Sequence, residues 1–167
     1  MGRRHPTLPP NDLLRAARLR LPSPSGSFFT ARCEAIDQRL PDVEYALPPG
    51  PIHGDAHTGN LLGAPGAALL TDFEVFATGP REWDLVPLAV GVTRLGLARA
   101  QSEEFVAACG FDVRSWSGYP LFREIRELGM TTWLAQNAAE SPAIAAEVKL
   151  RIQSLRDGDL ERAWTAS

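Results

Sequence analysis

The spacing of apolar positions predicts a chain made mostly of amphipathic helices. Over residues 28–40, four apolar side chains recur at helical intervals and share one face: Phe29, Cys33, Ile36 and Leu40. The same periodicity and its flanking turn residues predict helices over residues 11–21, 84–99, 119–137 and 142–164, the last interrupted near Gly158. A further helix begins near residue 102 and closes at Gly110. One central stretch does not follow this pattern.

Residues 52–74 form that central stretch, and their apolar runs are too short for helices. Residues 61–62 are separated from residues 68–71 by the segment GAPGA, whose turn is centred near Gly66. Two short apolar runs on either side of such a turn predict a β-hairpin. Residues 76–83, which contain a Gly-Pro step, are predicted as a turn.

The hairpin brings together polar residues that suit a metal ion. Folding the chain about its turn places Asn60 opposite Asp72, where cross-strand Cα atoms lie roughly 5 Å apart. An amide oxygen and a carboxylate suit Mg²⁺, which takes one or two carboxylates and completes its shell with water and substrate phosphates. Asp55 lies in a loop opened by Gly54. A carboxylate there can orient or deprotonate a nucleophilic hydroxyl.

The segments that carry these residues resemble the catalytic segment of the aminoglycoside phosphotransferase family, which shares the kinase-like fold with choline and homoserine kinases. They are HGDAHTGNLL beginning at His53, TDFE ending at Glu74, and GPREWDL, which contains Asp84. The resemblance extends over residues 28–164. It implies a mostly α fold with a small β-hairpin, equivalent to the C-terminal lobe of a protein-kinase-like enzyme.

The resemblance also implies the chemistry of the site. Asp55 would be the catalytic aspartate, and Asn60 and Asp72 would hold Mg²⁺ together with bound ATP or GTP. In protein kinases the same tasks belong to an aspartate and an asparagine of the catalytic loop and to a metal-binding aspartate. The acceptor would be the hydroxyl group of a small molecule.

Four further residues are expected to support this site. Asp84 would be a buried aspartate that helps to hold the catalytic loop, although an aspartate at a helix start is by itself most often a cap. His53 would orient the loop as a hydrogen-bonded structural histidine. His57 is expected in the loop or at the rim of the site, and Glu74 near the metal.

Half of a kinase-like site has no counterpart in this sequence. Such an enzyme also needs a glycine-rich loop over the phosphates and a strand lysine that contacts them. The residues before His53 contain no lysine, and Lys149 is the only lysine of the chain. We therefore expect a truncated site without an N-terminal lobe, completed by a partner chain or by the missing lobe. The surface that such a lobe would cover is expected to be exposed and apolar.

Three functions are compatible with these residues. The first is a phosphotransferase lobe that transfers the γ-phosphoryl group of ATP. The second is a non-catalytic binding or scaffold module that keeps the motif. The third is a metal-dependent phosphoesterase whose metal cluster would consist of His53, Asp55, His57 and Asp72.

Composition and charge limit which binding partners and which cellular compartment we expect. The chain has 167 residues, of which 44% are hydrophobic and 22% are charged. This length and composition are sufficient to bury one hydrophobic core. A net charge of -3 gives no general reason to expect nucleic-acid binding. No signal region follows Met1 and no apolar run is long enough to span a bilayer, so we expect a cytoplasmic protein without a membrane partner. Cys33 and Cys109 lack metal-binding spacing and are expected to be free, mostly buried thiols.

The predicted domain organisation is simple. Residues 1–27 form an N-terminal tail with a short helix and a linker. Residues 28–167 form the phosphotransferase lobe, with the catalytic loop and metal hairpin at 52–74 and a helical subdomain at 84–164.

Overall fold

The computed structural model describes residues 26–64 and 67–165. The helices in this part of the chain are α1 (Gly26–Arg39), α2 (Val86–Arg94), α3 (Arg99–Cys109), α4 (Tyr119–Ala135) and α5 (Pro142–Asp157). The strands are β1 (Gly50–Ile52), β2 (Leu61–Ala64), β3 (Ala67–Leu70) and β4 (Ala77–Gly79). The predicted helix over residues 11–21 and the predicted turn centre at Gly66 lie outside the described residues.

The helices form where the apolar periodicity predicts them, but three of their ends differ from the prediction by three residues or more. The helix predicted over residues 84–99 ends at Arg94, because Gly96 adopts a left-handed backbone with φ of 68°. The next helix, α3, therefore begins at Arg99, before the predicted start, and ends at left-handed Gly110 as predicted. The terminal helix α5 ends at left-handed Gly158 rather than continuing to Trp164.

The strands pair into two small antiparallel sheets. The pairing of β2 with β3, with Leu61 opposite Leu70, confirms the predicted hairpin. The pairing of β1 with β4 was not predicted, since residues 76–83 were expected to form a turn. The strand β4 has only three residues, and it is defined by its partner β1 rather than by a local apolar pattern. The sheet of β1 and β4 fixes the start of the loop that follows Ile52.

The core lies between the helices and beneath this loop. Helix α4 contributes a continuous buried face that includes Phe122, Ile125 and Leu128. Phe122 meets the indole rings of Trp83 and Trp116 edge to face, with centroids 6.0 Å and 4.9 Å away. Because Trp83 precedes α2 and Trp116 precedes α4, this cluster ties the helices to the segment that supports the loop.

A buried ion pair fastens the segment after α5 to the core. The Arg94 guanidinium donates to both carboxylate oxygens of Glu127, at 2.7 Å and 3.1 Å. Its Nη1 also donates to the carbonyls of Asp159 and Arg162. The indole of Trp164 lies over the same guanidinium, 4.5 Å from it.

The hairpin carries a cluster of exposed apolar side chains on and just after its strands. We call this cluster the hairpin patch, and its members are 37–64% exposed: Leu61, Leu62, Leu69, Leu70, Phe73 and Val75. An exposed apolar surface was expected from the sequence, and its location on the hairpin puts it next to the polar residues of the site.

Cys33 is buried and Cys109 is exposed, and neither forms a disulfide. Within residues 26–64 and 67–165, no helix is both long enough and apolar enough to cross a membrane.

Candidate functional site

A clamp built by the segment before α2 holds the loop that carries Asp55. The backbone N–H groups of His53 and Gly54 donate to the two carboxylate oxygens of Asp84, at 2.6 Å and 2.9 Å. The indole N–H of Trp83 donates to the carbonyl of Gly54 at 2.6 Å. Burial raises the pKa of Asp84, and the two backbone N–H groups partly offset that effect. Asp84 thus contacts the loop backbone instead of capping a helix.

His53 links the loop to the end of β3. Its side chain is only 3% exposed. Nε2 donates to the carbonyl of Thr71 at 2.7 Å, and Nδ1 accepts from the N–H of Asp55 at 3.3 Å. Because both ring nitrogens are engaged in this way, His53 has no lone pair left for a metal ion.

The carboxylate of Asp55 is bound by an arginine on one side and faces a histidine on the other. Arg126 Nη1 donates to its Oδ1 at 2.7 Å, while His57 Nε2 lies 3.5 Å from its Oδ2. His57 Nδ1 accepts from the N–H of Gly59, so the proton of the neutral ring lies on Nε2 and faces Asp55. The Asp55 side chain is 38% exposed, which leaves it accessible to a ligand.

Arg126 is the residue of this site that the sequence did not reveal. It lies on α4, 71 residues after Asp55, and no local motif surrounds it. Helical periodicity places it beside the buried position Ile125 on α4. It does not indicate which loop the arginine meets, because that depends on how α4 packs against the rest of the fold.

Asn60 is fixed to the same loop. Its side-chain Nδ2 donates to the carbonyl of Asp55 at 3.0 Å, so its amide oxygen is the atom left for a ligand. Its own carbonyl accepts from both the backbone N–H and the hydroxyl of Thr71. The structure therefore pairs Asn60 with Thr71, and the predicted pairing of Asn60 with Asp72 is wrong by one residue. The register of Leu61 with Leu70 causes this difference.

Asp72 follows directly after the residue paired with Asn60, and its backbone is unusual. Its φ is 63°, a left-handed conformation uncommon for a residue other than glycine and enriched at functional sites. The regular alternation of side chains along β3 ends before Asp72. The one-residue difference in pairing therefore does not determine on which side of the hairpin its carboxylate lies. Both Asp72 and the neighbouring Glu74 are exposed.

The geometry does not support the predicted four-residue cluster of the phosphoesterase hypothesis. His53 uses both nitrogens within the protein. In the described part of the chain, no group of three or more His, Cys, Asp and Glu side chains is placed to hold a metal ion. A site with Asn60 and Asp72 as its two protein ligands does not depend on such a cluster.

Comparisons with known proteins agree with this architecture. No curated protein matches the chain. A choline/ethanolamine kinase family protein from Mesorhizobium loti has a similar structure, with a TM-score of 0.59 and 18% sequence identity. The similarity covers 87% of this chain and 53% of that protein, so the chain spans about half of its length. At this identity the similarity establishes the fold, and it confirms the predicted kinase-like lobe.

A family model provides the second comparison. The model for the phosphotransferase enzyme family, APH, matches residues 2–128, which include the loop, the hairpin and the clamp. The resemblance to aminoglycoside phosphotransferases and choline kinases is thereby confirmed. This chain belongs to the phosphotransferase enzyme family.

Proposed function

We propose that this chain is the catalytic lobe of a kinase-like phosphotransferase, which passes the γ-phosphoryl group of ATP or GTP to the hydroxyl of a small molecule. The observation that carries the proposal is the fixed pairing of Asp55 with Asn60. One hydrogen bond joins them within a single loop, and Asp84 holds the start of that loop. Phosphoryl transfer depends mostly on positioning and charge neutralisation, and a loop held in this way supplies the positioning.

Asp55 is suited to receive the proton of the acceptor hydroxyl. Arg126 holds Oδ1, and the longer separation of Oδ2 from His57 leaves that oxygen available to a bound hydroxyl. A carboxylate within hydrogen-bond reach of a hydroxyl orients it and accepts its proton as the bond to phosphorus forms.

Asn60 and Asp72 would hold Mg²⁺. The free amide oxygen of Asn60 and the exposed carboxylate of Asp72 are hard oxygen donors, which fit this ion. Mg²⁺ held there would neutralise charge on the phosphates of the nucleotide. The support for this assignment is the chemistry of the two donors and their neighbouring positions at the end of the hairpin.

The division of labour between the two aspartates can be tested by substitution. Asp72→Asn should lower the affinity for Mg²⁺·ATP at least about tenfold, because it removes a charged metal ligand. Asp55→Asn should leave that affinity unchanged and lower any phosphoryl-transfer rate at least about a hundredfold, the usual contribution of a general base. Calorimetry gives the affinities, and release of ADP gives the rate.

Two results would contradict this assignment. Equal loss of nucleotide affinity in both variants would mean that Asp55 also contributes to binding. No nucleotide binding by the wild-type chain would favour a non-catalytic scaffold module instead. The cytoplasmic location and the need for a complementary lobe stay predictions from the sequence.

A further inference from the structure

A cavity of about 220 Å³ lies beside the segment that clamps the loop of Asp55. Asp84 forms part of its wall, but Asp55, Asn60 and Asp72 do not line it. The cavity is therefore distinct from the proposed nucleotide site, and the function proposed above gives it no role. Its volume is below the roughly 300–1,000 Å³ of clefts that take drug-sized ligands, so it suits a smaller molecule.

Most of the cavity wall is apolar. Four of the side chains that line it are hydrocarbon in character: Leu47, Pro51, Leu85 and Phe111. Pro51 is exposed on β1, and the other three are partly buried. Apolar surface that the fold leaves uncovered in a concave site favours a ligand that removes it from water.

The backbone around the cavity is held in place on each side. The buried carboxylate of Glu82 accepts the N–H groups of Ala46 and Leu47 at 2.8 Å and 2.7 Å. Strand β1 is paired with β4. The left-handed backbone of Gly110, with φ of 74°, ends α3 and turns the chain towards Phe111. The cavity is thus formed before any ligand binds.

Arg81 brings an uncompensated positive charge to the cavity. It is exposed, and it forms no hydrogen bond or ion pair with any described residue. Its aliphatic stem lies across β1, because a Cβ atom added to Gly50 would lie 3.0 Å from its Cδ and 3.8 Å from its Nε. The glycine seats the stem and leaves the guanidinium free. A free guanidinium binds a carboxylate through two parallel N–H bonds.

Asp84 determines which end of an acidic ligand enters the cavity. Both of its carboxylate oxygens accept N–H groups of the loop, and its side chain is partly buried. A second carboxylate placed next to it would be repelled. The ligand therefore keeps its carboxylate at the exposed Arg81 and turns its apolar end towards Leu85 and Phe111.

We propose that this cavity binds a small monocarboxylic acid that carries one aromatic or branched apolar group. Its carboxylate pairs with Arg81, and its apolar group covers the apolar wall. Because Asp84 belongs to the same wall, the occupant lies next to the residue that holds the loop of Asp55. The site does not depend on the proposed phosphotransferase function.

A cysteine in the cavity wall reports whether the site is occupied. Cys109 lines the cavity and is exposed, whereas Cys33 is only 2% exposed. Phenylacetate should slow the alkylation of Cys109 by iodoacetamide in the folded full chain, because the occupant covers the thiol. The slowing should saturate with phenylacetate concentration, and mass spectrometry of the labelled peptides measures it.

An uncharged analogue and two arginine variants test the role of the charge. Phenylacetamide has the same shape, and it should need at least about fivefold higher concentration for the same protection, because it lacks the charged acceptor. Arg81→Met keeps an apolar stem and should weaken protection by phenylacetate at least about fivefold for the same reason. Arg99→Met is the matched control, since Arg99 is also exposed, has no described ion-pair partner and does not line the cavity.

Arg99→Met should leave the protection unchanged, and circular dichroism should show the wild-type helix signal in both variants. No saturable slowing of Cys109 alkylation would overturn the site. Equal protection by phenylacetate and phenylacetamide, or equal protection of the wild type and Arg81→Met, would also overturn it. The titrations contain no nucleotide, so their result is independent of whether the chain binds Mg²⁺·ATP.

Discussion

At Gly54 the loop that carries Asp55 passes too close to Val75 for any side chain. The backbone of Gly54 has φ of 88°, a region that favours glycine. A Cβ atom there would lie 2.6 Å from the carbonyl oxygen of Val75, a backbone atom that cannot rotate away. The glycine of the His-Gly-Asp segment is therefore a steric requirement of the site.

Gly54→Ala should lower the free energy of unfolding by at least about 2 kcal/mol, because strained backbone alone costs about 1–3 kcal/mol and the clash adds to it. Urea denaturation measures the loss. Gly96→Ala is a matched control, since Gly96 also has a positive φ but open space around it. Equal losses in the two variants would show that the contact with Val75 has no effect.

At this scale the sequence predicts which residues lie near one another better than how they contact one another. The motif singles out Asp55, Asn60 and Asp72, and the structure places them on one loop and at the end of one hairpin, while their roles stay predictions. The predicted cross-strand partner of Asn60 was wrong by one residue. The position of the turn was known only approximately, and the strand register depends on it. Arg126 was missed, since its partner lies in a distant part of the chain.

At the scale of elements, a buried ion pair joins two helices and also contacts the segment that follows α5. Arg94 and Glu127 are 1% and 3% exposed, and their ion pair joins α2 to α4. The same guanidinium binds two carbonyls of the terminal segment. Breaking a buried pair leaves an uncompensated charge, which is far more costly than losing an exposed pair.

Glu127→Gln should lower the free energy of unfolding by about 3–5 kcal/mol, because it leaves the buried Arg94 guanidinium without its counter-charge. Arg162→Ala is the control, since it removes an exposed ion pair with Asp159 that is worth at most about 1 kcal/mol. Both losses come from denaturant titration. A loss for Glu127→Gln no larger than that of the control would contradict the buried clamp.

Elements were predicted where local pattern determines them. The periodic apolar faces of α1 and α4 indicated both helices, and Gly110 indicated the end of α3. The strand β4 was missed because three residues carry no periodic signal, and pairing with β1 creates it. The early end of α2 was also not predicted, because apolar residues continue past Arg94. The helix ends there because Gly96 adopts a left-handed backbone.

At the scale of the whole molecule, the hairpin patch is notable because it exposes six large apolar side chains. Its six apolar side chains lie next to Asn60 and Asp72, so whatever covers them also lies over the proposed nucleotide site. Large exposed apolar patches mark interaction sites. The sequence predicts a complementary lobe or a partner chain as the cover of this surface, and that stays a prediction.

Replacing Leu62 with Lys together with Leu69 with Glu should reduce the binding of an apolar fluorescent dye and any self-association in sedimentation. The two residues are cross-strand partners, so opposite charges keep a favourable pair within the hairpin. Leu160→Lys serves as the control, since Leu160 is also more than half exposed but lies outside the patch. A wild-type chain that binds no dye and stays monomeric at high concentration would argue against an interaction surface.

The central claim is that this lobe by itself holds the metal half of a phosphotransferase site. Calorimetric titration with ATP in the presence of Mg²⁺, in the presence of a chelator, and for Asp72→Asn tests that claim most directly. We predict saturable binding that requires Mg²⁺ and that weakens at least about tenfold in the variant. Binding that is indifferent to both the metal and Asp72, or no binding at all, would contradict the account.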